Sequence, residues 1–172
     1  MLLLIFCIGS ILGWFLEITY KIIAGQDPST AGMSKGPFSI TYGFAALILN
    51  LVISRISDNI FVIFFSSMFL LTILELISGV ILDKVFKITL WDYKGLKLYI
   101  NKYTSGEFMI VWGMLGVIYL KILEPLFLQL LSIFDINIIN TFCIGFCIYM
   151  AIDYIFVIIS QVKKNTLKSA QL

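Results

Sequence analysis

The sequence predicts an all-α fold, a polytopic bundle of about five membrane-spanning helices. Of its 172 residues, 60% are hydrophobic and 13% are charged, whereas soluble domains are typically about 25% charged. Five apolar segments qualify by the criterion of about 20 mostly apolar residues that a helix needs to cross the hydrocarbon core of a bilayer. We therefore expect a single transmembrane domain at residues 1–162, followed by a polar cytoplasmic tail at 163–172.

Each apolar segment predicts one helix, and short polar connections separate the helices. In chain order they are expected at 2–23, from after Pro37 to near Ser54, and at 59–82, 107–131 and 136–162. Residues 1–16 lack the basic start of a signal peptide, so they are expected to be a retained first span. Pro125 is expected to bend or end the fourth helix, because proline lacks the N–H that a helix interior requires.

The basic residues are unevenly distributed between the two sides of the predicted bundle. Of the 12 lysines and arginines, all except Arg55 and Lys121 fall in or beside the first connection, the third connection or the tail. These three regions lie on the same side of a five-helix chain. Because lysine and arginine are enriched on the cytoplasmic side, we expect the N-terminus outside and the C-terminus in the cytoplasm.

The sequence lacks the residues of several common functional sites. It contains no histidine, and its cysteines, Cys7, Cys143 and Cys147, lie in apolar segments where buried thiols are expected rather than metal ligands. It has neither a GxxxxGK[ST] P-loop nor a GxSxG nucleophile motif. We expect no metal and no cofactor. The basic third connection is interleaved with aromatic residues, which favours lipid over nucleic acid as a partner.

Three carboxylates, Glu17, Glu75 and Asp153, fall inside apolar segments. An ionised carboxylate near the centre of a membrane helix costs about 2.5–3.5 kcal/mol, so such groups face the interior of a bundle or water. Each lies on a helix face of small and polar residues, which lets helices approach closely. The faces are Gly9, Gly13 and Glu17; Thr72, Glu75, Gly79 and Asp83; and Gly145, Tyr149 and Asp153; Trp112, Gly113, Gly116 and Tyr119 form a similar face.

The expected orientation places all three acids and Trp112 in the cytoplasmic half of the bundle. They predict a polar pocket there, covered by the loop Trp91-Asp92-Tyr93. Lys21, Lys35 and Lys84 are its candidate countercharges. The alternative is that the acids pair with lysines only to fix the register of the helices.

Two further polar features have structural interpretations. The third connection alternates aromatic residues with lysines, a mixture typical of the lipid headgroup layer. The pattern in the third connection is therefore as consistent with an anchor at the membrane interface as with a substrate site. In the fourth helix, Lys121 and Glu124 lie three residues apart, and we expect them to pair with each other.

Short motifs in a particular order resemble those of a known family. They are Gly13-Trp14-x-x-Glu17-x-x-Tyr20, Lys35-Gly36-Pro37, Tyr42-Gly43, Glu75-x-x-x-Gly79, Trp91-Asp92-Tyr93, Asn101, Trp112-Gly113, Pro125 and Asp153-Tyr154. This order is similar to that of the CmpB-type ABC-transporter type IV family of bacterial integral membrane proteins, over about residues 5–160. Family members tend to carry glycine where this chain has Lys102, and a basic residue at a position that Lys21 would fill.

The resemblance implies a permease subunit in the bacterial cytoplasmic membrane. Because no ATP site is present in the chain, a separate ATPase subunit is implied, and the small number of spans implies self-association into a homo-oligomer. The matched motifs add Tyr20, Lys35, Tyr42 and Asn101 to the candidate substrate-binding residues. The complete candidate set is Glu17, Tyr20, Lys35, Tyr42, Glu75, Asp83, Trp91, Asp92, Tyr93, Asn101, Trp112 and Asp153.

Three functional interpretations stay open. In the first, a transport or flipping subunit holds a small polar or lipid substrate in the pocket, gated by the loop at residues 91–93. In the second, a membrane-embedded enzyme acts on a lipid or isoprenoid headgroup, with Asp92 or Glu75 as general base and lysines holding phosphate. In the third, the chain is a non-catalytic assembly subunit. The lack of histidine and of paired metal ligands favours transport over catalysis.

Overall fold

Five helices follow one another along the chain in the computed structural model, which describes residues 1–169. They are α1 (Leu2–Ile23), α2 (Ile40–Ile56), α3 (Ile60–Lys84), α4 (Gly106–Leu131) and α5 (Ile136–Ser169). The predicted all-α fold is confirmed. α1, α3, α4 and α5 are long and apolar enough to cross a membrane, whereas α2 is a shorter apolar helix.

Two of the helices contain a π-helical turn. The turn lies at Leu49–Ile53 in α2 and at Tyr119–Leu123 in α4. The second turn ends two residues before Pro125, and the helix continues through the proline to Leu131, so the proline does not end it. Proline has no N–H to donate, and its ring disfavours a regular helical turn just before it, which is where the π turn lies.

Small residues set how closely the helices approach, as the sequence predicted for the first and fourth helices. A Cβ added at Gly9 would lie 2.4 Å from the Cβ of Ala46, and one at Gly13 would lie 2.1 Å from the side chain of Tyr42. α1 therefore packs tightly on α2. Between α3 and α4, Gly113 and Gly116 pack in the same way, on Phe64 and Ser67.

The corresponding prediction for the fifth helix is wrong at Gly145. An added Cβ there would meet nothing within 4 Å, and the glycine is exposed. α5 instead packs on α1 through its cysteines, with the sulfurs of Cys7 and Cys147 3.8 Å apart. All three cysteines are free thiols, of which Cys7 and Cys143 are buried and Cys147 is half-buried.

α3 has two faces with opposite environments, and this arrangement positions Glu75. One face is buried and carries Ile63, Ser67, Leu71, Glu75 and Gly79. The other carries large apolar side chains, each about half or more exposed: Phe61, Phe65, Phe69, Ile73, Ile77 and Ile81. Both series repeat every four residues, as expected for one helix with a bundle side and a lipid side.

The segment between α3 and α4, residues 85–105, ends in a small β-hairpin and is called the lid segment below. β1 (Tyr99–Asn101) pairs antiparallel with β2 (Thr104–Ser105). The side chain of Asn101 accepts hydrogen bonds from the backbone N–H groups of Tyr103 and Thr104, at 2.8 and 3.0 Å. Lys102 is not among the residues with positive φ, so this turn accommodates a side chain at that position without backbone strain.

α5 extends beyond the expected end of the transmembrane domain at residue 162. The helix continues through Ser169, and the last part of the predicted tail, residues 170–172, lies outside the described residues. The division at residue 162 stays a prediction.

The predicted pair of Lys121 and Glu124 does not form. The Nζ of Lys121 instead lies 3.0 Å from the exposed carboxylate of Asp58. Glu124 accepts a hydrogen bond from the side-chain amide of Asn50. Sequence spacing placed the two residues near each other, but Glu124, which directly follows the π turn, contacts α2 through Asn50 instead.

Candidate functional site

Glu75 is the most deeply buried carboxylate in the described part of the chain, with 4% of its surface exposed. The hydroxyl of Tyr93 donates a hydrogen bond to its Oε1 at 2.6 Å. The indole N–H of Trp112 faces the same carboxylate, outside the limits of a regular hydrogen bond. Trp112 Nε1 and Glu75 Oε2 are both buried and have no other hydrogen-bond partner among the described residues.

Tyr93, which donates to Glu75, packs against aromatic rings of two helices. The ring of Tyr93 stacks on that of Phe108 with 4.4 Å between centroids, and Tyr20 approaches Phe108 edge-on at 5.6 Å. Burial raises the pKa of the Tyr93 hydroxyl. Tyr93 therefore stays protonated at neutral pH and remains a donor to Glu75.

Glu17 is held by the connection between α1 and α2. The hydroxyl of Ser39 donates to its Oε1 at 3.0 Å, and the ammonium of Lys21 lies within electrostatic range. Gly32 lies against the other carboxylate oxygen, where an added Cβ would be 3.2 Å from Oε2. Gly32 has a φ of +67°, a left-handed conformation that favours glycine. The connection thus folds back onto the carboxylate.

Two tyrosines each lie within electrostatic range of two of the three carboxylates. The Tyr42 hydroxyl lies within electrostatic range of both Glu17 and Glu75. That of Tyr154 lies within range of both Glu17 and Asp153. We call these five residues the carboxylate cluster. It joins α1, α2, α3 and α5, which are separate in sequence.

Asp153 is bound to the first connection through backbone rather than through a countercharge. Its Oδ2 accepts a hydrogen bond from the backbone N–H of Lys35 at 2.9 Å, while the Lys35 side chain is exposed. The neighbouring Tyr154 accepts one from the backbone N–H of Ile40 at 3.1 Å. Phe38, which is fully buried, packs against the ring of Tyr154 with 5.9 Å between centroids.

Asp83 belongs to a second polar group, which fastens the lid segment to the end of α3. Its carboxylate accepts hydrogen bonds from Lys102 Nζ at 2.6 Å, from the Tyr103 hydroxyl at 2.6 Å and from the Thr89 hydroxyl at 3.0 Å. These four residues are called the lid clasp. The hydrogen bond to Asp83 raises the pKa of Lys102, so the ammonium stays charged at neutral pH.

The other residues of the Trp91-Asp92-Tyr93 motif have different surroundings. The indole N–H of Trp91 donates to the backbone carbonyl of Tyr103 at 3.2 Å and supports the lid clasp. Asp92 is exposed, and its Oδ1 accepts from the backbone N–H of Lys94 at 2.9 Å. Tyr93 alone of the three reaches the carboxylate cluster.

A narrow apolar slot lies beside the carboxylate cluster, within the bundle. Its cavity is small, about 50 Å³, and is lined by residues of α1, α2, α3 and α4. Tyr42 and Trp112 line one part, while Leu49, Tyr119 and Leu123 line another, beside the π turns. Leu16 and Leu71 also line the slot. Along the chain, Leu16 directly precedes Glu17, and Leu71 lies one helical turn before Glu75.

The structure divides the candidate residues into groups. Glu17, Tyr42, Glu75, Tyr93, Trp112 and Asp153 lie in or against the carboxylate cluster, with Tyr20 at its edge; Asp83 and Trp91 lie at the lid clasp; Asn101 forms the hairpin turn; Asp92 and the Lys35 ammonium lie apart. The sequence reasoning missed Ser39, Tyr154 and Lys102. Of these, Tyr154 had a signal, because it directly follows Asp153.

Comparisons with known proteins give one match. Neither the curated proteins nor the solved structures contain a match to this chain. The sequence profile of the family described as "Putative ABC-transporter type IV" matches residues 4–158, a range that covers α2, α3 and α4, most of α1 and α5, and both polar groups. The chain therefore belongs to this CmpB-type family of ABC-transporter-related membrane proteins.

Proposed function

We propose that the chain is a permease-like subunit of a transporter, and that it handles a small polar or lipid substrate at the carboxylate cluster. The observation that carries the proposal is that carboxylates from α1, α3 and α5 lie within electrostatic range of the same two tyrosines, Tyr42 and Tyr154. Carboxylates buried in membrane helices are costly and typically mark substrate or ion pathways. The family of the chain supports the same function.

The lid segment is proposed to gate this site. It is fastened to α3 at Asp83 and reaches Glu75 through Tyr93, so movement of the segment would uncover the carboxylate. The lysines of the segment lie at the same end of the bundle as Lys21. On the positive-inside principle, we place this end in the cytoplasm of a bacterial cell, with the N-terminus outside and five crossings.

A separate ATPase subunit and a homo-oligomer are proposed partners. ABC transporters draw energy from an ATPase, and this sequence contains no P-loop. A short cytoplasmic surface that includes the lid segment would be the place where such a subunit binds. Membrane lipid would contact the exposed apolar face of α3.

An assembly role is the second candidate, and one observation favours it. Glu17 and Asp153 accept hydrogen bonds from Ser39 and from the backbone of Lys35, contacts that also hold the first connection in place. The enzymatic alternative has less support, because Asp92 is exposed and accepts from its own turn and Glu75 is covered by Tyr93.

The test compares cells that express the wild-type chain, Glu75→Gln or Asp58→Asn. Co-purifying proteins and the lipid composition of the membrane are measured in each. We expect an ATPase chain to co-purify with all three, and lipid or solute distribution to change only with Glu75→Gln. Asp58, whose side chain is 98% exposed, is the matched control. Identical behaviour of a folded Glu75→Gln variant and the wild type would leave only the assembly role.

A further inference from the structure

The β-hairpin of the lid segment, taken with the preceding leucine as residues 98–105, lies beside the ends of two helices. We call it the lid hairpin. The N–H of Gly106, the first residue of α4, donates to the carbonyl of Leu98 at 2.8 Å. A Cβ added at Gly79, before the last turn of α3, would lie 2.9 Å from the side chain of Tyr103. Both helices are long and apolar enough to cross a membrane, so the lid hairpin lies at the depth where they reach the lipid headgroups.

The lid hairpin exposes a continuous apolar edge. Leu98, Tyr99 and Ile100 follow one another, and each is about half exposed. Tyrosine is enriched where a membrane meets water, because its ring is apolar and its hydroxyl is polar. Contact with lipid at this depth would remove the apolar area of the edge from water, which is favourable. The edge therefore fits the boundary between headgroups and acyl chains.

The charge of the lid segment indicates the kind of lipid. Residues 85–105 contain four lysines and a single acidic residue, Asp92. Lys94 and Lys97 are exposed, and Lys97 directly precedes Leu98 at the start of the apolar edge. Lysines close to a membrane surface are attracted by headgroups with a net negative charge, and each lysine adds to the attraction. A zwitterionic headgroup has no net charge to attract them.

We infer that the lid hairpin docks on anionic phospholipid, with its apolar edge at the boundary of the acyl chains and the ammonium groups of Lys94 and Lys97 against the phosphate groups. This contact goes beyond the proposed function and does not depend on it. A protein partner is the alternative occupant. The position of the lid hairpin beside the helices favours lipid, because lipid surrounds membrane helices at that depth. The proposed ATPase subunit would then bind other residues at the same end of the bundle.

Photochemical cross-linking identifies the neighbour of the apolar edge. In the full chain, Tyr99 is replaced by p-benzoylphenylalanine, and the protein is placed in nanodiscs of about three parts phosphatidylcholine to one part phosphatidylglycerol. After illumination, mass spectrometry identifies the lipid attached to the chain. We expect lipid adducts in which the anionic phosphatidylglycerol exceeds its share of the disc by about three- to tenfold.

The matched control places the same photoreactive residue at Phe69, which is exposed in the middle of α3. That position should capture the two lipids in proportion to the composition of the disc, because it meets acyl chains rather than headgroups. Absence of lipid adducts at position 99, or the same share of phosphatidylglycerol at both positions, would overturn the inference.

Charge variants test the role of the lysines. Lys94→Gln combined with Lys97→Gln should return the lipid captured at position 99 to the composition of the disc. Sodium chloride at about 1 M should do the same in the unchanged chain, because salt screens attraction between exposed charges. Arg55→Gln combined with Lys121→Gln removes two charges at the other end of the bundle and should leave the enrichment intact. Equal loss in both double variants would show a general effect of net charge and contradict the assignment to Lys94 and Lys97.

Cross-linking at position 99 in bacterial membranes separates lipid from protein as the occupant. We expect phospholipid adducts there as well. An adduct with another protein chain in place of lipid would show that the apolar edge is a protein interface and would overturn lipid docking.

Discussion

Glu75 depends on Tyr93 more than on any other described neighbour. The carboxylate is buried on α3, and the Tyr93 hydroxyl provides its 2.6 Å hydrogen bond from a different part of the chain. Leaving a buried acceptor without its donor costs the full desolvation penalty of that group. The pair therefore links the position of the lid segment to the stability of the bundle.

Tyr93→Phe tests this link. The substitution keeps the ring that stacks on Phe108 and removes the hydroxyl, so we expect a loss of about 1–3 kcal/mol in the free energy of unfolding. The measurement is reversible unfolding of the purified chain in mild detergent. Tyr99→Phe, which changes a tyrosine that is 47% exposed in the same segment, should have no effect. Equal stability of the two variants would contradict the role of the Tyr93 hydroxyl.

The acids of the site could be predicted from the sequence, but their partners could not. Glu17, Glu75 and Asp153 are conspicuous because carboxylates are costly in apolar segments. Ser39 and the backbone of Lys35 reach these acids only because the first connection folds back between α1 and α5. Such a path depends on long-range packing, and no local pattern encodes it. For this reason Lys35 contacts Asp153 through its backbone N–H, and its side chain does not supply the predicted countercharge.

At the scale of the elements, close contacts at glycine determine how α1 and α2 pack. Gly9 and Gly13 leave room for Ala46 and Tyr42, and Tyr42 is the residue that faces both Glu17 and Glu75. The distance between the two helices therefore also sets the position of the tyrosine in the carboxylate cluster. Apart from van der Waals packing, little drives helices together in lipid, so such contacts carry much of the association.

Gly13→Ala tests the packing of the two helices. The new methyl group would lie 2.1 Å from Tyr42, so the helices must separate, and we expect a loss of about 1–3 kcal/mol in the free energy of unfolding. Gly145→Ala is the matched control, because its Cβ meets nothing within 4 Å. That variant should be unchanged or more stable by up to about 1 kcal/mol through its helix propensity. A neutral Gly13→Ala would show that the helices do not approach so closely.

The lid clasp is a second element-scale feature, and Lys102→Met removes its cation. Without the contact to Asp83 the lid segment should open more often, so trypsin should cleave the detergent-solubilised chain faster at Lys94 and Lys97. The measurement is the rate at which these two peptide bonds are cut. Lys121→Met, which removes a cation paired with the exposed Asp58, should leave the rate unchanged. Equal rates in both variants would exclude a fastening role for Lys102.

Helices were easier to predict than the structure within and between them. Apolar length located all five helices, since the hydrocarbon thickness of a bilayer sets the length of a spanning helix. The π turns at Leu49–Ile53 and Tyr119–Leu123 have no apolar signature. Glu124, which directly follows the second turn, contacts Asn50 instead of the expected Lys121. Gly145 has helical spacing from Asp153 but meets no neighbouring helix, because spacing alone does not show which faces are covered.

At the scale of the whole molecule, the path of α2 decides the topology. α2 (Ile40–Ile56) is shorter than the other helices, and at about 1.5 Å per residue it spans about 25 Å, somewhat less than the roughly 30 Å of hydrocarbon in a bilayer. With α2 spanning, the termini lie on opposite sides of the membrane. With α2 turning back, they lie on the same side.

Reporter fusions at the two termini measure this directly. We expect a C-terminal green fluorescent protein to be fluorescent in the bacterial cytoplasm and an N-terminal epitope tag to be accessible from outside the cell. The physical reason is that the lysines of the lid segment and of the C-terminal region are retained inside. Termini on the same side would show that α2 does not cross, and an external C-terminus would contradict the proposed orientation.

The central claim is that Glu17, Glu75 and Asp153 form one group beneath the lid segment. A cryo-electron microscopy map of the full chain in lipid nanodiscs tests it most directly. We expect the three carboxylates in the same half of the bundle, with Tyr42 between Glu17 and Glu75, Tyr154 between Glu17 and Asp153, and the Tyr93 hydroxyl on Glu75. Carboxylates that face lipid on separate sides of the bundle, or that lie in opposite halves of it, would contradict the account.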